Sequence, residues 1–257
     1  MIYAREHANY YDRFYRDKPY QEEAAYAAGL VKARSPEAKT ILDLGCGTGL
    51  RSLEFARLGF KVLAIDQSEA MLDAARGHLA AASDILYAAV DFQRGDVTTF
   101  GAQARRDAVV SLFHVFSYLV TEGAMDQALA CSFANLNPGG VLLFDYWHGP
   151  GVINDPPVIR KKVVENGGLK LEKTTVPEHL QDGHLVRLKV SLQVSDENNG
   201  VSEESEELYV MRYWFPDELE EAITRAGFSD VHHYSWMTRS EPNLVSWQAC
   251  TVAVKPL

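Results

Sequence analysis

Three glycines at two-residue spacing, Gly45, Gly47 and Gly49, follow a short apolar run that ends in Asp43-Leu44. Glycine lets a tight turn adopt unusual backbone angles and lets a ligand approach the main chain. A Cβ at the middle glycine would push into a bound molecule. Cys46 and Thr48 lie between the glycines on the same turn. Asp66 closes the next apolar run, 21 residues after Gly45. A carboxylate there can accept two hydrogen bonds from a ribose diol. The dinucleotide pattern GxGxxG needs a glycine where this chain has Leu50, so the spacing weakens a nicotinamide reading. A tight structural turn with an exposed acid is the alternative for the same residues.

Two histidines have the right chemistry for proton transfer. His114 follows the apolar run Asp107 to Phe113. A neutral imidazole near pH 7 can take a proton from an ammonium or a hydroxyl, or it can simply bond a loop carbonyl. His148, in Trp147-His148-Gly149-Pro150, is a second candidate whose other role would be to hold a turn. Tyr146 and Trp147 could wall an apolar acceptor site or seal the core. Arg160 opens the basic run Arg160-Lys161-Lys162, which suits a nucleotide diphosphate or a protected strand edge. Tyr11 and Tyr15 are four residues apart and share a face if their segment is helical.

These residues need elements to position them, and the chain supplies an alternation. Thr40 to Leu44, Lys61 to Ile65, Leu86 to Asp96, Asp107 to Phe113 and Val141 to Tyr146 read as strands. Leu50 to Gly59, Ser68 to Ala82 and Ala124 to Leu136 read as helices between them, with Ser68 as an N-cap. Asn137-Pro138-Gly139-Gly140 is a turn signal. Buried strands alternating with helices predict an α/β fold with a doubly wound parallel sheet. Residues 1–39 form a helical preface, in which Glu22 to Arg34 carries an apolar stripe through Ala25, Leu30 and Val31. Residues 156–214 alternate apolar and polar, most clearly over Leu185–Val194, and predict antiparallel strands. A helix from Pro216 to Ala226 and strands near Phe228–Trp236 and Ser246–Val254 complete the core. The expected units are 1–39, 40–155, 156–214 and 215–257.

Composition narrows the field. The formal net charge of −10 disfavours a general nucleic-acid binder. The three cysteines, Cys46, Cys131 and Cys250, form no CxxC pair, so neither a metal site nor a disulfide framework is expected. His232-His233 has no ligand spacing around it. No run of about 18 apolar residues is present, and the N-terminus lacks a signal-peptide core. The expected location is a reducing cytoplasm, with no membrane partner.

The run Ile41 to Gly49, with Asp66 beyond it, resembles the class I S-adenosylmethionine-dependent methyltransferases. The resemblance implies a Rossmann-like seven-stranded core with an N-terminal helical lid and an inserted antiparallel β-subdomain. It implies S-adenosyl-L-methionine as cofactor and S-adenosyl-L-homocysteine as product. Carried over residue by residue, Gly45, Gly47 and Gly49 line the methionine and ribose, with Cys46 and Thr48 between them. Asp43 lies near the amino-acid end, Asp66 holds the ribose hydroxyls, and Gln67 and Met71 flank the adenine. Gly95-Asp96-Val97 matches the third-strand motif, in which the Asp meets the adenine amino group. Leu112-Phe113-His114 sits beside the transferable methyl. The stretch Tyr10 to Tyr15, then Lys18-Pro19-Tyr20, is similar to the start of nucleotide-sugar N-methyltransferases, which act on dTDP-amino sugars. That likeness implies a lid whose Tyr15 hydroxyl meets the cofactor carboxylate, where the other role for Tyr11 and Tyr15 is to anchor the helix by packing; the expected acceptor site touches Tyr118, Tyr146, Trp147 and Arg160. The expected partner is a small-molecule acceptor, with the chain a monomer or homodimer. A sugar O-methyltransferase, a nicotinamide oxidoreductase and a noncatalytic cofactor-binding subunit are the competing readings. A nucleic-acid methyltransferase is disfavoured by the acidic charge and by Ser111-Leu112-Phe113-His114 where an Asn-Pro-Pro-Tyr-like motif would stand.

Overall fold

The computed structural model describes residues 5–82, 88–181, 183–196 and 200–257. The expected strand start at Leu86 and the turn residues Asp182, Asn198 and Asn199 lie outside the described residues.

Two helices come first, α1 (Arg5–Phe14) and α2 (Tyr20–Arg34). The alternation then runs β1 (Thr40–Leu44), α3 (Leu50–Arg57), β2 (Lys61–Asp66), α4 (Glu69–Ala80), β3 (Val90–Arg94) and β4 (Arg106–Ser111). A 3-10 turn (Val115–Tyr118) leads to α5 (Ala124–Asn135), β5 (Leu136–Trp147) and the short α6 (Gly149–Asn154). Four long strands follow, β6 (Arg160–Asn166), β7 (Leu169–His179), β8 (Leu185–Asp196) and β9 (Val201–Arg212). The chain ends with α7 (Pro216–Arg225), β10 (Ser229–Ser235) and β11 (Gln248–Val254).

The main sheet has the order β10-β11-β5-β4-β1-β2-β3, with only β11 running against its neighbours. Successive strand residues point to opposite faces, and both faces are covered. Ile41, Val62, Ala108 and Leu143 join α2 and α3 in one core layer with Leu30, Val31 and Phe55. Leu42, Leu63, Val109 and Leu142 join α5 and α7 in the other, with Phe116, Leu219 and Ile223. Phe116 stacks on Phe144 at 4.2 Å between ring centroids in that second layer. Burial on both sides explains why these strands read as continuous apolar runs.

Strands β6 to β9 form a separate antiparallel sheet. Its inner face packs Leu171, Leu192 and Val194 on Phe14 of α1, and Val186 and Met211 on Trp147 and Val152. Val163, Val176 and Leu208 are exposed.

Two local readings change. Leu30 and Val31 are buried as expected, but Ala25 is exposed, and Ala24, Ala27 and Ala28 complete the buried stripe of α2 instead. The turn signal at residues 137–140 does not break the chain into separate elements. It is a bulge inside β5, where pairing with β4 jumps from Arg106↔Leu136 to Ala108↔Val141. Gly139 supplies its positive φ of 74°.

Candidate active site

The carboxyl ends of β1, β2 and β4 open onto one cavity, as expected for a parallel sheet. Its wall includes Gly45, Cys46, Gly47, Thr48, Asp66, Gln67, Met71, Asp96, Val97, Leu112 and Phe113. The three glycines all have positive φ, but they serve different ends. A Cβ on Gly45 would fall 2.6 Å from a Val115 methyl, and one on Gly49 would fall 2.5 Å from the Phe92 ring. These two glycines are close-packing positions. A Cβ on Gly47 would meet no atom within 4 Å, although the residue borders the cavity. Space is left there for a ligand against bare backbone, so the cradle fits the expected cofactor.

Asp66 organises this wall. Its Oδ2 accepts the Gly47 N–H at 2.9 Å and its Oδ1 accepts the Ser68 N–H at 2.8 Å. Burial raises its pKa, and these backbone bonds oppose the shift. Ser68 caps α4 as expected. Asp96 accepts the Gln67 amide at 2.7 Å and the Thr98 N–H at 2.8 Å, which joins the second and third strand ends.

Several expected residues stand elsewhere. Gly49 is off the wall, as the N-cap of α3. Asp43 lies behind the glycine turn, where its Oδ2 accepts the Ser52 hydroxyl at 2.6 Å; burial raises its pKa. Its place is under the cavity floor because β1 points that side chain into α3. Tyr15 is not on this wall either. It follows the last residue of α1, and its hydroxyl accepts from Lys173 Nζ of the inserted sheet at 3.0 Å.

Arg51 and Tyr20 are among the residues of this wall that carried no expectation as site residues. Arg51 is buried, gives Nη1 to Glu23 Oε2 at 3.1 Å and Nη2 to the Leu112 carbonyl at 3.3 Å. Lys18 also bonds Glu23. The two cations offset the otherwise costly burial of that carboxylate. Burial pushes the Tyr20 hydroxyl up to about 12. A cation in the first turn of a helix opposes the helix dipole, and that local misfit is the signal that could have singled out Arg51.

A second cavity adjoins the first. Tyr11, Phe113 and Tyr118 border both. The rest of its wall comes from His114, Trp147 and Trp247 on the core side, Phe14 at the end of α1 with Tyr15 just beyond it, Pro157 and Val158 ahead of β6, and the inserted sheet. On the sheet the lining residues are cross-strand neighbours. Arg160 pairs with Thr175, which pairs with Val190; Lys162 pairs with Lys173; Pro177 pairs with Leu188, which pairs with Tyr209. Arg160 and Lys162 face the cavity, whereas Lys161 pairs with Glu172 outside it. Lys162 also bonds the Phe14 carbonyl and so ties the sheet to α1.

Phe113 and His114 stand where the cavities meet, and both are left-handed, with φ of 75° and 66°. Such angles are costly for residues with side chains and concentrate at functional sites. Phe113 stacks on His114 at 5.5 Å, meets Tyr15 edge-on at 5.1 Å, and lies under Lys18 Nζ at 4.4 Å. The His114 backbone N–H donates to Asp145 Oδ1 at 2.8 Å. Burial lowers the His114 pKa, Asp145 opposes that, and Lys18 and Arg51 reinforce it.

His148 and Tyr146 border neither cavity. His148 is 1% exposed and bonds the Ser246 carbonyl through Nδ1 at 2.7 Å, as the residue that opens α6. Tyr146 is fully buried, with its hydroxyl 3.3 Å from His233 Nδ1. Alternation along β5 turns Trp147 to the cavity and these two away from it. Among the described residues no group of His, Cys, Asp or Glu could hold a metal, and the three cysteines are free and buried.

Residues 41–140 match the model of a methyltransferase domain. The chain is 32% identical over 228 residues to the dTDP-3-amino-3,4,6-trideoxy-α-D-glucopyranose N,N-dimethyltransferase of Streptomyces venezuelae, covering 88% of this chain and 91% of that one. The crystal structure of Streptomyces venezuelae DesVI superposes with a TM-score of 0.79 and 28% identity, covering 99% of this chain and 100% of the other. An S-adenosylmethionine-bound amino pentose methyltransferase from Micromonospora echinaspora superposes with a TM-score of 0.72 and 25% identity, over 99% of this chain and 98% of that one. With its seven-stranded sheet and bare-backbone cradle, the chain belongs to the class I S-adenosylmethionine-dependent methyltransferases.

Proposed function

We propose that this enzyme methylates the amine of a nucleotide-linked amino sugar. The observation that supports this reading is the shared wall of Tyr11, Phe113 and Tyr118 between the glycine-cradled cavity and the basic, aromatic one. A reacting amine in the second can there face a methyl donor in the first. Bound S-adenosylmethionine supplies an activated methyl on a sulfonium. Gly47 and Thr48 lie against its sugar and sulfur portion, Asp66 takes the ribose hydroxyls, and Gln67, Met71, Asp96 and Val97 surround the adenine. Arg51, with Tyr20 beside it, meets the carboxylate.

The chain's own task is alignment and proton handling. Positioning alone can contribute up to ~7–11 kcal/mol to such a displacement. His114 takes the proton from the acceptor ammonium, because only a neutral amine has a lone pair to attack with. Its lowered pKa keeps it neutral and able to accept. Arg160, Lys162 and Lys173 face the acceptor's diphosphate, and Trp147 and Trp247 pack on its apolar parts. Three buried thiols suit a reducing cytoplasm, and no described helix is long and apolar enough to cross a membrane.

The test is incubation of the purified chain with S-adenosylmethionine and dTDP-3-amino-3,4,6-trideoxy-α-D-glucopyranose, read by mass spectrometry. The expected result is a nucleotide sugar heavier by one or two methylene units. Tight cofactor binding with no methylation of this or other dTDP-amino sugars would refute the acceptor assignment.

A further inference from the structure

Asp145 is the one acid in the apolar stretch Val141 to Trp147 of β5, and it is fully buried. A carboxylate in that setting is costly unless several donors meet it. Its Oδ1 accepts the His114 backbone N–H at 2.8 Å, and its Oδ2 accepts the Gln248 amide at 2.5 Å. The same Oδ2 stands in ion-pair range of His114 Nδ1, at 3.4 Å, and that buried ring nitrogen makes no hydrogen bond in this structure. One carboxylate therefore hydrogen-bonds the main chain of a residue held at a φ of 66° and is the acid beside its unpartnered ring nitrogen.

We propose that Asp145 is a positioning residue for His114, whose carboxylate keeps the ring proton on Nδ1 and leaves the Nε2 lone pair to take the acceptor's proton. The proposal rests on the reading of His114 as the proton acceptor. Two features of the surroundings support it. The ring lies between Phe113, stacked at 5.5 Å, and Trp147, edge-on at 6.2 Å, and it borders the second cavity. The other charged groups acting on the ring are Lys18, Arg51 and Glu23. The two cations and burial disfavour the imidazolium that forms when the proton arrives. Asp145 opposes them and is the largest favourable charge. In the step itself an N–H bond of the acceptor ammonium breaks, an N–H bond at Nε2 forms, and the freed amine lone pair forms the new C–N bond as the C–S bond breaks. The imidazolium then returns its proton to water.

The experiment uses the full chain labelled with 15N-histidine, read by two-bond 1H–15N spectra, together with kinetics on dTDP-3-amino-3,4,6-trideoxy-α-D-glucopyranose. His114 in the unaltered chain is expected as the Nδ1–H tautomer. Asp145→Asn offers an amide donor where the carboxylate stood and is expected to move that proton to Nε2. It should also lower kcat by about 100-fold or more, as a wrong tautomer does at other histidine bases, and move the acid limb of kcat/KM to lower pH. Affinity for S-adenosylmethionine should stay within about threefold. An Nε2–H tautomer in the unaltered chain overturns the proposal, and needs no variant to fold. So does an Asp145→Asn enzyme with an unchanged tautomer and normal turnover, provided His114→Ala is slow. If His114→Ala itself turns over normally, the reading of His114 as proton acceptor fails, and this proposal with it.

Discussion

Asp12 Oδ1 accepts a hydrogen bond from the Thr48 hydroxyl at 2.7 Å, which fastens α1 to the glycine-rich turn. His78 of α4 joins the same latch, with Nε2 3.1 Å from Asp12 Oδ2 and Nδ1 2.9 Å from the Thr48 carbonyl. The helix that carries Tyr11 is thus tied to the cofactor cradle by one side chain. Asp12→Ala is expected to weaken S-adenosylmethionine binding by roughly 5- to 30-fold, the equivalent of one or two charge-assisted bonds. Calorimetry checks it. The hydrogen bond that His78 donates to the Asp12 carboxylate raises the His78 pKa, so the latch is complete below the ordinary histidine range. It weakens as pH rises through the raised value, and affinity should fall with it. An affinity that is flat with pH would remove His78 from the latch.

Gly47 and Gly49 should separate binding from folding. Gly47→Asp places a side chain in open space within the cradle and should abolish cofactor affinity, with only about 1–2 kcal/mol lost to backbone strain. Gly49→Ala drives a Cβ into Phe92 and Ala75, 2.5 and 2.9 Å away, and should cost about 3 kcal/mol of stability or more. Denaturant titration beside calorimetry distinguishes them. Equal effects of the two on both measurements would contradict the roles assigned to them.

Arg51→Met leaves Glu23 buried with Lys18 as its remaining cation and should destabilise the fold by about 3 kcal/mol. Adding Glu23→Gln should restore most of that stability, while cofactor affinity stays about 100-fold low. If the double variant bound S-adenosylmethionine normally, the guanidinium would be a purely structural partner.

His233 carries a pH dependence of stability. Its Nδ1 lies 2.8 Å from the Thr251 hydroxyl, and burial lowers its pKa to about 4. The unfolded chain, with an ordinary histidine, binds the proton first, so stability is full above about pH 6.5 and is lost as pH falls toward 4. Between pH 7 and 5 this one group should cost about 2 kcal/mol. Urea unfolding of the original chain and of His233→Gln at both pH values isolates it; the same pH slope in both would exclude the residue.

Arg160→Ala should raise KM for a dTDP-amino sugar about tenfold with kcat unchanged, and the effect should shrink in high salt. A kcat defect at unchanged KM would place Arg160 in the chemical step instead.

The sequence disclosed most where chemistry is local. The glycine turn, Asp66 and the Gly95-Asp96-Val97 stretch are contiguous signals, and the structure sets Gly47, Asp66 and Asp96 on one cavity wall. The alternation of strands and helices likewise follows from apolar runs that pack on both faces. What escaped is the set of side chains whose meaning depends on a partner far along the chain. Glu23 looks like one more helix-surface acid until Arg51 is folded against it. Asp145 reads as an irregularity in a core strand until His114 arrives from 31 residues away. Tyr146 and His148 have suitable chemistry, but one residue of strand phase decided which way each points, and motif spacing does not determine phase. Lys173 carried no expectation, because its role comes from its register opposite Lys162.

The inserted sheet lines the second cavity with alternate residues over part of each of β6, β7, β8 and β9. A single inserted or deleted residue in a strand would exchange its lining row for the outward one, which carries Lys161, Glu172 and Lys189 beside the exposed Val163, Val176 and Leu208. Lineages of this enzyme should therefore diversify their acceptors by point replacement along fixed strands and concentrate length variation in the hairpin ends. The reading frame of the pleat is itself an inherited part of the specificity.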